Sequence, residues 1–128
     1  MPARNSYDYA LVRLVPSVER GECINVGVIV FCRTLRFLGA LMHLDEARAL
    51  ALAPSIDLET VRQHIDRIPL ICAGGEQAGV IGLLTQPERW HWLVSPRSTI
   101  IQTSPVHSGL CDDPRMTLEQ LFKEMVLL

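Results

Sequence analysis

Aromatic side chains are scarce in this 128-residue chain, at 5 %, although 48 % of its residues are hydrophobic. Aliphatic side chains must therefore supply most of the core. An apolar excess of this size fits a well-packed small domain or one that also buries an interface. A basic surplus is missing too. The formal charge of −2 weighs against nucleic-acid binding, which needs a cationic face. No apolar run approaches the ~20 residues of a membrane span, and no charged segment followed by an apolar one opens the chain as a signal peptide would. The four cysteines, Cys23, Cys32, Cys72 and Cys111, form no CxxC pair. Cys23 and Cys32 lie in or beside apolar runs, where a free thiol behaves as a small hydrophobe. These absences together predict a reduced, soluble, cytoplasmic protein without a cofactor. HExxH, GxSxG and a Walker loop are also absent, so no familiar catalytic motif is present.

What is present is a strong pattern of elements. Residues 7–15, YDYALVRLV, alternate in the manner of a strand. Residues 22–32, ECINVGVIVFC, are β-branched enough for a central strand, and residues 36–44 follow after a short break, giving an antiparallel meander. Asp45 can cap a short helix that Pro54 ends. Ser55 or Asp57 starts a second helix, whose Leu58, Val61, Ile65, Ile68 and Cys72 recur at helical spacing, with Pro69 marking its end or a kink. AGGEQAG reads as a flexible loop, PERWHWLV as a third helix, residues 98–103 as a fourth strand, and Thr117 with Gln120 as the capping box of a last helix. Strands come first and helices later. The expectation is one α+β domain over residues 1–128, with the order β-β-β-α-α-α-β-α and an antiparallel four-stranded sheet carrying its helices on one face.

Chemistry-bearing residues concentrate in SPRSTIIQTSPVHSGLCDDP, residues 95–114. Arg97, Ser98, His107, Ser108, Cys111 and Asp112 flank one strand there, and functional residues gather on loops held by a rigid scaffold. Arg97 has the planar fork that grips anions. His107 with Cys111 could form a nucleophile pair, because a nearby imidazole can lower a thiol pKa. Each has a structural alternative: Cys111 as a small core residue, His107 as a loop pin, Asp112 or Asp113 before Pro114 as a helix cap. His107, Cys111 and Asp112 or Asp113 could supply three metal ligands, but the signal is weak and no metal is expected; His43, His64 and His91 are dispersed. Asn25 and Gly27 interrupt a β-branched strand, which points to a bulge or a close backbone approach, or to Asn25 at the edge of a site. Trp90 and Trp92 point to different helix faces, one of them toward the core.

INVGV at 24–28, PRS at 96–98 and SPVHSGLCDDP at 104–114, with the opening YDYALVRLVPSVERGE, resemble the bacterial domain-of-unknown-function family 3037 over nearly the whole chain. That resemblance implies no assigned activity. It implies a partner, because members resemble genomic neighbours of HipA-like kinases. Two functions follow as expectations. The first is a non-enzymatic protein-interaction module that acts with such a kinase, or as a homo-oligomer, and binds neither nucleic acid nor membrane. The second is a small enzyme or anionic-ligand-binding protein with its site around Arg97, Ser98, His107 and Cys111.

Overall fold

A computed structural model describes residues 4–97 and 99–127. The first three strands, β1 (Asn5–Leu14), β2 (Ile24–Cys32) and β3 (Phe37–Met42), form the expected antiparallel meander. β2 is central and buried along most of its length, as its run of β-branched residues requires. Helices α1 (Glu46–Leu52) and α2 (Leu58–Ala73) follow, then a 3-10 segment (Glu76–Leu83) and α3 (Gln86–Val94). The chain ends with β4 (Ile101–Thr103), β5 (His107–Cys111) and α4 (Pro114–Met125).

The class is α+β, but the sheet has five strands rather than four. β4 and β5 share one edge of β1. β4 pairs with Val12–Leu14 and β5 with Asn5–Tyr9, both antiparallel. They are one column of the sheet broken at Ser104-Pro105-Val106. Proline cannot donate to a ladder, so the column must jog there. Ser104 repairs the jog. Its N–H donates to the Leu11 carbonyl at 2.8 Å, and its Oγ accepts from the Leu11 N–H at 2.8 Å. The predicted strand at 98–103 is thus shorter, Ile101–Thr103, and part of the expected loop is β5.

The helices lie on both faces, which corrects the one-face expectation. Ala10, Val12 and Leu14 of β1 pack with Val61, Ile65, Ile68 and Ile71 of α2 and with Trp90 and Leu93 of α3. Tyr7, Tyr9 and Leu11, on the other face, pack with Leu118, Leu121 and Phe122 of α4. β1 alternates half-buried and buried residues because each face meets a different layer.

A bulge in β2 sets which residue faces which layer. Val12 pairs with Gly27 and Arg13 with Asn25, leaving Val26 as the extra residue. Its carbonyl accepts from the His43 N–H at 2.7 Å. The inserted residue switches the alternation, so Ile24 and Val26 face α2 as Ile29 and Phe31 do. Gly27 carries no side chain because the Met42 thioether occupies the space a Cβ would need.

Caps follow local chemistry. Asp45 caps α1 through the Arg48 N–H, and Asp57 caps α2 through the N–H groups of Glu59 and Thr60. α2 runs on past Pro69 to Ala73, because the cost of one lost hydrogen bond in the last turn is offset by burial of Ile71 and Cys72. AGGEQAG is not a flexible loop. Most of it belongs to the 3-10 segment, closed by a bond from the Gly75 N–H to the Gly82 carbonyl at 2.9 Å. α4 starts earlier than the Thr117–Gln120 pattern predicts. Asp113 is its cap, accepting from the Arg115 N–H at 3.0 Å, and Pro114 holds the first position. Thr117 sits inside the helix and donates to the Asp113 carbonyl. Among the described residues, no helix is long and apolar enough to cross a membrane.

Candidate functional site

The break in the β4–β5 column divides the candidate residues between two faces. Arg97 follows α3. Its guanidinium lies 3.9 Å above the Trp92 ring, and Nη2 donates to the Trp92 carbonyl. That stacking places Arg97 on the α2 side of the sheet, beside Ile68, Ile71 and Ile101. Ser98 lies outside the described residues.

β5 carries the other group. His107 pairs with Tyr9 in the ladder, and the two rings stand 5.3 Å apart on the α4 side. Ser108 points to the opposite face and donates to Asp8 Oδ1 at 2.6 Å. Gly109 pairs with Tyr7, whose ring covers the strand so closely that a Cβ would meet it at 2.8 Å. Cys111 is buried. Burial, then the adjacent Cys32 thiol, pushes its pKa up, so it is held as the neutral thiol. Burial also raises the pKa of Tyr7, helped by Tyr9 and Cys111. His107 and Cys111 occupy opposite ends of the strand, about 13 Å apart by strand rise, beyond hydrogen-bond reach. Asp112 is exposed and stands 3.9 Å from Arg4.

Asn25 sits at the β2 bulge, away from the 97–111 segment in its bonding. Its Nδ2 donates to the Met125 carbonyl at 3.2 Å and ties down the end of α4. Trp90 enters the core against Phe31 at 5.6 Å, while Trp92 is half-buried under Arg97. Among the described residues, no three His, Cys, Asp or Glu side chains converge as a metal site would require.

Sequence reasoning passed over Arg67 and read His64 as one of the dispersed histidines, surface or half-buried. Both line the cleft that Arg97 lines. They stand three residues apart on α2 and so share a helix face. A signal was available: Arg67 has no carboxylate three or four residues away in either direction, whereas Arg62 has Asp66.

β5 is also an open edge. β1 lies on one side of it, and the described residues place no strand on the other. Leu11 bonds toward the β4–β5 column. Alternation along β1 then turns Tyr9, Tyr7 and Asn5 toward His107, Gly109 and Cys111. The peptide groups of Ser108 and Leu110 therefore point outward. Val106, just before the strand, and Leu110, within it, are exposed at 44 % and 62 %.

A five-stranded antiparallel sheet between two helical layers defines an α+β scaffold, and among the described residues neither β3 nor the β4–β5 column has a strand on its outer side. The family model described as "Protein of unknown function (DUF3037)" matches residues 9–126, and the chain belongs to that family. No curated protein and no solved structure matches the chain.

Proposed function

We propose that this chain is a non-enzymatic protein-interaction module that takes an extended segment of a partner protein onto the edge of β5. The carrying observation is that edge: outward peptide groups at Ser108 and Leu110, with the exposed side chains of Val106 and Leu110 along it. An added strand satisfies the peptide groups, and the apolar side chains supply burial. The edge is short, five residues, but its interior residues Ser108, Gly109 and Leu110 carry no charge that would oppose pairing. The non-enzymatic part is supported by the nucleophile candidates. Cys111 is buried and neutral, and Ser108 has a carboxylate as its partner rather than an imidazole. Family resemblance makes a HipA-like kinase encoded nearby the partner to test first.

Leu110→Pro is the discriminating variant. It removes an outward donor and leaves the bonds to β1 intact. Wild type is expected to capture the kinase in a pull-down. The variant, with an unchanged circular dichroism spectrum, is expected to bind at least about tenfold more weakly, ~1.4 kcal/mol. Leu110→Lys, which places a charge on the edge without altering the backbone, should weaken binding in the same direction. Equal capture by all three proteins sinks the assignment of the edge. A dimer of wild type that Leu110→Pro abolishes would give the edge to a second copy instead.

A further inference from the structure

Arg67 and Arg97 line one cleft of about 190 Å³, walled by α2 on one side and by Trp92, Thr99 and Ile101 on the other. His64 lines it as well, and its apolar wall is Trp92, Ile68 and Ile101. Among the described residues, no carboxylate lines the cleft and no ion pair includes Arg67 or Arg97. Two guanidiniums without a counter-charge repel each other. Burial, and after it the Arg67 charge, lowers the pKa of Arg97. An anion between them would relieve both.

Arg97 is already oriented to receive one. The Trp92 ring fixes the plane of its fork, and one N–H is used on the Trp92 carbonyl. A guanidinium has five N–H donors, so four remain. Thr99 donates its hydroxyl proton to the Ile101 carbonyl, which leaves the arginines and His64 as the donors for a ligand. A cavity of ~150 Å³ takes a benzene ring, so the cleft suits a body about one ring in size. The paired charges suit a dianion better than a carboxylate, and a phosphate monoester carries about −1.5 to −2 at neutral pH.

We propose that this cleft binds a small phosphate monoester, its dianion held between Arg67 and Arg97 and its apolar body against Trp92. The site is separate from the β5 edge, so either assignment can fail alone. The test titrates the whole chain with phenyl phosphate, benzoate and inorganic phosphate, followed by calorimetry and by the Trp92 indole N–H resonance. Phenyl phosphate should saturate and move that resonance, with the other two weaker. Arg67→Ala, an exposed helix position where alanine keeps the helix, should lose at least about tenfold in affinity, ~1.4 kcal/mol. Arg97→Ala should lose at least as much, while Arg115→Ala and Leu110→Pro bind as wild type. No saturation below about 10 mM, a Kd weaker than ~−3 kcal/mol of binding, overturns the proposal. So does unchanged binding by Arg67→Ala. Benzoate binding as tightly as phenyl phosphate overturns the dianion assignment.

Discussion

At the scale of single residues, burial decides the chemistry of the thiols. Cys23 is exposed, while Cys32, Cys72 and Cys111 are buried. Burial pushes the Cys72 thiol from 9.0 up to about 12, against the opposing charge of Arg89. Arg89 is itself buried, and its Nη1 donates to the Ile71 carbonyl at 3.2 Å. A cation there answers the negative end of α2. The raised thiol pKa carries a pH signature. An unfolded thiol ionises near 9, whereas folded Cys72 keeps its proton until about 12. The folded state therefore holds more protons in that window. Its contribution is fully present below pH 9 and is lost as pH rises toward 12. Urea midpoints should fall across that range, and less steeply in Cys72→Val. Parallel curves for the two proteins would mean that Cys72 is not the group responsible.

At the scale of elements, the break between β4 and β5 is the decisive local feature. Pro105 forbids a continuous strand, and Ser104 supplies with its hydroxyl the acceptor that a regular ladder would have taken from the backbone. Ser104 is 3 % exposed, so water cannot replace that acceptor readily. Ser104→Ala should leave the Leu11 N–H buried without a partner and cost about 1–3 kcal/mol. Denaturant unfolding would measure the loss, and hydrogen exchange should place it at the Leu11 amide. A variant as stable as wild type would show that the jog does not depend on this bond. The same break permits β5 to run at a separate register from β4, and so to present Ser108 and Leu110 outward.

At the scale of the whole molecule, one sheet serves two cores. α2 and α3 cover one face and α4 the other, and every inner residue of β1 belongs to one core or the other. A strand cannot leave one layer while staying in its partner, so the two cores should unfold together. Leu118 of α4 is fully buried. Leu118→Ala should cost about 2–5 kcal/mol, and it should shift the tryptophan signal of Trp90, on the far face, by the same amount as the helical signal. A tryptophan midpoint left in place would show that α4 melts by itself. The ligand cleft and the β5 edge both depend on this arrangement, since the sheet sets Arg97 and His107 on opposite faces.

The sequence by itself determined the α+β class, the meander of the first three strands, the amphipathic face of α2 and the irregularity at Asn25 and Gly27. Each of these is local: side-chain alternation, helical spacing, capping residues, or a glycine where a strand disfavours one. It also marked the segment around residues 97–112 as the place where polar chemistry gathers. Only the tertiary structure decided how that segment divides. His107–Cys111 is short and carries Ser, Gly and His, so it has little strand propensity; pairing with β1 and the cover of Tyr7 over Gly109 make it a strand. Which face α4 would cover was equally illegible, because its apolar stripe suits either side of a sheet. Arg67 joined Arg97 only through packing, since they stand thirty positions apart on the chain and α2 must lie across β4 before they share a cleft. Local patterns are written in neighbouring residues, whereas a cleft and an open edge arise from which surfaces remain uncovered once all the layers have packed.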